Sequence, residues 1–142
     1  MKNLLEAAIK IAVEAHSGQL DKAGQPYVLH PLRVMLSLSD EKDRIVGVLH
    51  DVIEDTSITY DYLIANGFEG QREILEALKS VTRKEDETYE EFIERVALNP
   101  IGKIVKLADL QDNMNLSRIP NPTTKDFERL KKYEKAKEML TK

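Results

Sequence analysis

Residues 46–55 are Val46-Gly47-Val48-Leu49-His50-Asp51-Val52-Ile53-Glu54-Asp55. Their pattern predicts an apolar helix with a His-Asp pair in its middle and two acids at its end. In such a helix Glu54 lies four residues after His50, and side chains at that offset are neighbours on one face. Burying a histidine beside three acids without positive charge costs free energy. We therefore expect a divalent cation here, bound by some of these side chains.

The composition suits one compact domain and restricts the kinds of metal site. The chain has 142 residues, of which 42% are hydrophobic and 32% charged, so we expect a single domain, residues 1–142, with a packed core. Because the chain has no cysteine, a metal must be held by His, Asp or Glu. The net charge is -4 and the cations are spread along the chain, which argues against a nucleic-acid polymer as partner.

Neither a signal peptide nor a membrane-spanning segment is expected. Glu6, Lys10 and Glu14 interrupt the apolar residues at the N-terminus. No segment is long and apolar enough to cross a bilayer. Together with the lack of cysteine, these features favour a cytoplasmic location without a membrane partner.

Hydrophobic spacing predicts an all-α fold, a bundle of about eight helices without a strand-like segment. Thr88 and Glu91 have the spacing of a capping box. Ile104 and Phe127 fall at positions expected to face the core. The predicted helices are 2–16, 31–38, 42–53, 59–66, 71–80, one that opens at Thr88 and breaks at Asn99-Pro100, 101–115 and 124–140.

His30 and Asp109 are further candidates for a metal site. His30 precedes a predicted helix, and Asp109 lies in an apolar helical run. A mixed imidazole and carboxylate set selects ions such as Mn, Fe, Mg or Zn, and such an ion polarises a phosphoryl oxygen and acidifies water. Spacing alone leaves another interpretation open. A lone His-Asp pair on a helix is more often a surface or hydrogen-bonded pair, and Asp109 would then pair with Lys106.

Several motifs occur together in a fixed order. They are Ala15-His16-Ser17-Gly18-Gln19, residues 24–31 (GQPYVLHP), residues 49–56 (LHDVIEDT) and Lys106-Leu107-Ala108-Asp109. In this order they resemble the HD-domain phosphohydrolases. More narrowly, they resemble the hydrolase domain of RelA/SpoT-type alarmone enzymes and of their small stand-alone relatives. The resemblance implies an HD-domain helical bundle.

The resemblance also implies a role for each matched residue. The family's metal-ligand positions fall on His30, His50, Asp51 and Asp109. Manganese is the typical ion of the family, and another divalent cation would suit the same donors. Glu54 and Asp55 take the catalytic positions that orient or deprotonate the attacking water. The implied reaction removes the 3′-diphosphate from a small nucleotide substrate, an alarmone.

Two further positions concern the nucleotide. The resemblance implies that Lys22 faces the base or phosphates and that Asn113 is a polar substrate contact. Without the resemblance, Lys22 would be a solvated loop residue and Asn113 a helix C-terminal residue. Asp21 and Asn115 stand where the long enzymes usually have arginine. Neither replacement can stack on a purine and grip a phosphate at two points, so the choice between guanine and adenine stays open.

Three functions remain in view. The first is a metal-dependent pyrophosphohydrolase of a guanosine or adenosine alarmone. The second is an HD phosphohydrolase for another nucleotide or nucleotide cofactor. The third is a sensor that binds an alarmone without cleaving it, although Glu54 and Asp55 argue against it. No synthetase domain accompanies the module in this sequence, so we expect degradation without synthesis. The sequence leaves open whether the chain forms a homo-oligomer.

Overall fold

The computed structural model describes residues 3–142. Within that range the chain is all-α, as predicted, with no strand and only an isolated bridge between Leu20 and Pro26. The helices are α1 (Leu4–Ala15), α2 (Leu29–Leu36), α3 (Glu41–Leu49), α4 (Val52–Asp55), α5 (Tyr60–Leu63), α6 (Arg72–Ser80), α7 (Tyr89–Val96), α8 (Pro100–Asn113) and α9 (Thr124–Thr141), with irregular turns at Ile64–Phe68 and Leu116–Arg118. Lys2, the first residue of the predicted first helix, lies outside the described residues.

Polar side chains set the starts of several helices. Asp40 accepts hydrogen bonds from the backbone N–H groups of Lys42 and Asp43 at the start of α3. Thr88 and Glu91 form the predicted capping box of α7. Each cap satisfies backbone donors that have no partner within the helix. These local signals explain why the helix order follows from the sequence.

The predicted helix 42–53 is broken in the structure. α3 ends at Leu49, His50 and Asp51 form a turn, and α4 begins at Val52. The His50 Nδ1 atom lies 2.6 Å from the Gly47 carbonyl oxygen. In a continuous α-helix that carbonyl would accept from the backbone N–H of Asp51. The side chain of His50 therefore replaces a backbone partner, which adds one helix to the predicted set.

α3 is the centre of the bundle and packs against α1, α2, α6 and α8. Val46, Val48, Leu49 and Val52 are all completely buried. This packing places the His50-Asp51 turn between α2 and α8. No helix within residues 3–142 combines the length and the apolar composition needed to cross a membrane.

Two residues predicted to face the core do not do so. Ile104 is 43% exposed and Phe127 is 50% exposed. α9 packs on α7 and α8, and its fully buried residues are Ala136 and Leu140. The face of a helix that is buried depends on which neighbours it meets, and spacing within one helix does not define those neighbours.

Gly102 permits the close approach of α8 to α6. A Cβ atom at this position would overlap Ser80 Oγ and lie 3.2 Å from Ser80 Cβ. We expect Gly102→Ala to lower the free energy of unfolding by about 1–3 kcal/mol, because overpacking outweighs the better helix propensity of alanine. Adding Ser80→Ala should restore much of the loss. Urea denaturation of both single variants and the double variant tests this, and an unchanged stability of Gly102→Ala would contradict it.

Candidate metal centre and adjoining pocket

Four polar side chains from three parts of the chain meet at one point in the bundle. His30 comes from α2, His50 and Asp51 from the turn after α3, and Asp109 from α8. His30 Nε2 lies 2.8 Å from Asp109 Oδ1 and 3.7 Å from Asp51 Oδ2. His50 Nε2 lies 3.1 Å from Asp51 Oδ2 and 3.3 Å from Asp109 Oδ1. The structure thus brings all four residues predicted as metal ligands together.

Both imidazoles are oriented by a partner on their other nitrogen. His50 Nδ1 is 2.6 Å from the Gly47 carbonyl oxygen, so it must carry the hydrogen that it donates. His30 Nδ1 is 2.6 Å from Asp112 Oδ2. Partners of this kind fix the tautomer of metal-ligating histidines and leave the second nitrogen free to bind. In both residues that second nitrogen is Nε2, which faces the aspartates.

The environment keeps the two aspartates ionised. Burial alone would raise the pKa of Asp109, but Lys106 and His50 outweigh it and hold the pKa well below its ordinary value. Lys106 Nζ donates to Asp109 Oδ2 at 2.8 Å. Burial also opposes ionisation of Asp51, but His50 outweighs it and lowers the pKa. The hydroxyl of Tyr27 donates to Asp51 Oδ2. Both acids are therefore available as anionic ligands.

His30, His50 and Asp51 form a group that could hold a metal ion, since one donor atom from each lies within 4.8 Å of the others, and Asp109 Oδ1 lies beside both imidazoles. Metal–ligand bonds of about 2.1 Å at right angles place neighbouring donor atoms roughly 3 Å apart. Of the four donor distances given above, three lie between 2.8 and 3.3 Å. Two imidazoles and two carboxylates are donors that Mn, Fe and Zn accept, and the two negative charges match the ion.

Glu54 and Asp55 lie on α4, one turn beyond the cluster, and both are exposed. Glu54 Oε1 accepts from the backbone N–H of Arg83 at 2.8 Å, and the Asp55 carbonyl oxygen accepts from Gln19 Nε2 at 3.0 Å. Partial burial of each carboxyl group, together with the charge of Asp51, raises the pKa of both acids. Within residues 3–142 neither carboxylate hydrogen-bonds a predicted ligand, so the acids border the cluster without joining it.

An ion pair braces the connector that holds Glu54. Residues 81–88 link α6 to α7 and include Arg83. Glu87 accepts from Arg95 Nε at 2.7 Å and from Arg95 Nη2 at 3.0 Å. Arg95 also donates to the carbonyl oxygens of Lys79 and Thr82. One guanidinium therefore ties both ends of the connector to α7.

A cavity of about 300 Å³ opens beside His30. Lys22 and Asn113, the predicted substrate contacts, both line it. Asn113 Nδ2 also donates to Asp109 Oδ1 at 2.9 Å. Asp21 and Asn115 line the cavity as well, so both departures from the family pattern fall on its wall.

Sequence comparisons identify relatives of this chain. The guanosine-3′,5′-bis(diphosphate) 3′-pyrophosphohydrolase of Borreliella burgdorferi is 35% identical over 130 residues, covering 80% of this chain. The enzyme of that name from Aquifex aeolicus is 31% identical over 119 residues, covering 78% of this chain. The bifunctional (p)ppGpp synthase/hydrolase SpoT of Escherichia coli is 33% identical over 123 residues, again covering 78%. The chain is a homologue of the RelA/SpoT-type HD domains.

The similarity covers only a small part of each of these relatives, and it extends to a solved structure. The chain spans 19%, 17% and 17% of the length of these three relatives, respectively. A solved structure described as a metazoan orthologue of SpoT that hydrolyses ppGpp superimposes with a TM-score of 0.79 and 23% identity, covering 99% of this chain and 86% of that one. At this identity the superposition shows a shared fold. No family model matches the chain.

The sequence did not single out two residues that lie beside the candidate metal centre. Asp112 accepts from His30, and Arg33 donates its Nε to Asp112 at 2.8 Å. Each lies three residues after a predicted ligand, Arg33 after His30 and Asp112 after Asp109. A signal was therefore present, because that spacing places two side chains on one helix face. Using it would have required knowing that α2 and α8 face each other.

Asp112→Asn tests the hydrogen bond that orients His30. The substitution removes the charged acceptor of the His30 Nδ1–H group, and loss of such a partner typically weakens metal binding about 10- to 100-fold. Titration calorimetry with Mn²⁺ should show this loss. Asp61→Asn, an exposed residue of α5, should bind the ion as the parent does. Equal affinity of Asp112→Asn and the parent would contradict the assigned role.

Glu87→Gln tests the brace through the pH dependence of stability. The hydrogen bond from Arg95 lowers the pKa of Glu87 from 4.5 to about 2. An acid whose pKa is lower in the folded chain stabilises the fold above its unfolded pKa and loses this effect as the pH falls through the folded value. The parent should therefore be more stable than Glu87→Gln near neutral pH, and the difference should shrink between pH 4.5 and about pH 2. Urea denaturation measures this, with Glu85→Gln in the same connector as control; a constant difference would refute it.

Proposed function

We propose that the chain is a metal-dependent pyrophosphohydrolase that removes the 3′-diphosphate from an alarmone nucleotide. The convergence of His30, His50, Asp51 and Asp109 beside a nucleotide-sized cavity carries this proposal. The names of the relatives support it, since they describe guanosine-3′,5′-bis(diphosphate) 3′-pyrophosphohydrolases. On this proposal, residues 1–142 act as one HD domain.

The metal would be held by His30 and His50 through Nε2 and by one oxygen each of Asp51 and Asp109. Manganese is the ion that we assign, and its contribution when bound is to polarise a phosphoryl oxygen and to acidify water. Tyr27 and Lys106 each donate to an aspartate oxygen, which orients the carboxylates. The Gly47 carbonyl accepts from His50 Nδ1 and the Asp112 carboxylate accepts from His30 Nδ1, which orients the two imidazoles.

We assign proton transfer to Glu54 and Asp55. Hydrolysis of a phosphate anhydride or ester needs an acceptor for the proton of the attacking water. The two acids follow Asp51 by three and four residues and are exposed, so water can reach them. The hydrogen bond from the Arg83 N–H holds one Glu54 oxygen and leaves the other available.

The cavity is assigned to the nucleotide. Its volume of about 300 Å³ suits a small molecule. Lys22 would contact the base or phosphates and Asn113 would contact the substrate next to Asp109. Asp21 Oδ1 accepts from the backbone N–H groups of Ala23 and Gln25, both at 2.9 Å, so this carboxylate stabilises the conformation of the loop.

A second candidate is hydrolysis of another phosphorylated nucleotide. Asp21 and Asn115 line the cavity at positions where the resemblance leads us to expect arginine. Neither side chain can grip a purine or phosphate as a guanidinium does, which favours a different or broader base preference. Adenosine alarmones are therefore tested alongside guanosine alarmones.

The decisive experiment is incubation of the Mn²⁺-loaded protein with guanosine and adenosine 3′-diphosphate nucleotides and with other nucleotides. Release of pyrophosphate from an alarmone is expected. Asp51→Ala should lose bound metal and activity together. Glu54→Gln should retain the metal and slow hydrolysis about 10²- to 10⁴-fold, as expected for loss of a general base.

Glu94→Gln, on the exposed face of α7, is the control and should match the parent. Unchanged alarmones with a metal-loaded parent would overturn the proposed function. Cleavage of another nucleotide alone would select the second candidate. Turnover of Glu54→Gln at the parent rate would remove Glu54 from the mechanism and leave the metal site standing.

A further inference from the structure

Two arginines reach the cavity from different elements and share one carboxylate. Arg33, on α2, donates Nε to Asp112 Oδ1 at 2.8 Å and Nη2 to Asp112 Oδ2 at 3.1 Å. Arg118, in the turn after α8, donates Nη2 to the Asp112 carbonyl oxygen at 3.0 Å and lies 3.4 Å from Asp112 Oδ2. Both line the cavity, and each side chain is 33% exposed. The two guanidinium groups are thus held together at one place on its wall.

The charges at this place do not cancel. Two guanidinium groups face a single Asp112 carboxylate, which leaves one positive charge in excess. Elsewhere in the cavity lining, Arg129 has its own partner in Asp126, at 2.6 Å. The local excess runs against the net charge of the whole chain, which is -4. A cationic spot of this kind attracts an anion.

Hydrogen-bonding capacity is also left over. A guanidinium has five N–H donors. Among the contacts within residues 3–142, Arg33 Nη1 and Arg118 Nε and Nη1 make no hydrogen bond. Two partly exposed guanidinium groups with unused donors match the oxygens of a phosphate group, which arginine binds at two points.

The position relative to His30 decides which phosphate would bind. His30 Nε2 faces the aspartates of the metal centre, and His30 Nδ1 faces Asp112 on the opposite side of the ring. The arginine pair therefore lies on the side of His30 that points away from the metal centre. A phosphate bound there is not the group that reacts.

We propose that Arg33 and Arg118 bind the 5′-phosphates of the nucleotide while its 3′-diphosphate lies at the metal centre. The inference rests on the proposed function, because it takes a nucleotide with phosphates at both positions as the ligand. Arg33 and Arg118 also supply positive charge to the cavity, which Asp21 and Asn115 do not. Because the contact is remote from the reacting bond, it strengthens substrate and transition-state binding equally.

The test measures nucleotide binding without turnover. GDP and ADP carry 5′-phosphates and no 3′-diphosphate, so they probe the arginine pair in the Mn²⁺-loaded full chain. Arg33→Gln and Arg118→Gln should each weaken binding of GDP or ADP about tenfold or more, because each removes a charge-assisted hydrogen bond to a phosphate oxygen. Arg118→Gln should bind the metal as the parent does, because Arg118 hydrogen-bonds the backbone carbonyl of Asp112. Arg33 also holds the Asp112 carboxylate, so the metal content of Arg33→Gln is measured and its nucleotide binding is compared at full metal loading. Arg44→Gln is the matched control, because Arg44 is half-buried and bonds a backbone carbonyl but lies outside the cavity lining.

Two outcomes would overturn the inference: parent protein that binds neither GDP nor ADP, or arginine variants that bind as tightly as the parent. Urea denaturation of each variant separates loss of binding from loss of folding, and Arg118, in the turn after α8, provides a second variant if Arg33→Gln does not fold.

Kinetics distinguish this inference from the proposed function. With an alarmone substrate, both arginine variants should raise KM about tenfold. Arg118→Gln should leave kcat close to that of the parent, as expected for uniform binding, and it is the variant used for this comparison because Arg33 also holds the Asp112 carboxylate. If the parent hydrolyses no alarmone but the variants still lose GDP or ADP binding, the arginine pair stands and the proposed function fails. If the variants hydrolyse the alarmone with the parent KM, the function stands and the arginine pair fails.

Discussion

One hydrogen bond, from the His50 side chain to the Gly47 carbonyl oxygen, shapes the centre of this molecule. It occupies the carbonyl that the Asp51 N–H would use in an unbroken helix. As a result α3 stops at Leu49, the chain turns, and Asp51 Oδ2 comes to lie 3.1 Å from His50 Nε2. The same bond fixes the tautomer of His50. The end of a helix and the orientation of two candidate ligands therefore have a common cause.

Asp112 is a residue common to the candidate metal centre and the cavity. Its carboxylate accepts from His30 Nδ1 and from Arg33, and it lies within 3.4 Å of Arg118. Burial raises the pKa of Asp112, but the hydrogen bonds from His30 and Arg33 outweigh it and leave the pKa well below its ordinary value. An ionised carboxylate can accept hydrogen bonds from both sides at once. Ligand orientation and pocket charge are thus connected through one residue.

The sequence predicted the fold class and the order of the helices because those depend on local signals. Caps such as Asp40 and Thr88 act within a few residues, and a helical apolar stripe is visible in the chain itself. The meeting of His30, His50 and Asp109 was also expected, from the order of several motifs. The break at His50 was not, because an apolar pattern is the same in a continuous helix and in one interrupted by its own side chain.

Features that depend on two helices meeting were beyond the sequence. Phe127 was placed inward by spacing, yet it is 50% exposed because α9 packs through another face. Asp112 and Arg33 each had the right spacing from a candidate ligand, but their pairing requires that α2 and α8 lie side by side. Arg118 is still harder to foresee, since it lies in a short turn after α8 with no periodic pattern.

The turn at His50 and Asp51 also separates most of the candidate metal ligands from the candidate catalytic acids along the chain. His30, His50 and Asp51, three of the four candidate ligands, lie before the break or at it, whereas Glu54 and Asp55 lie after it on a helix of four residues and are exposed to solvent. On the proposed roles, ion binding and substrate hydrolysis would depend on different segments of the chain and could evolve independently. Descendants of such a scaffold could lose or exchange their chemistry by substitutions in α4 alone and still inherit an intact ion site.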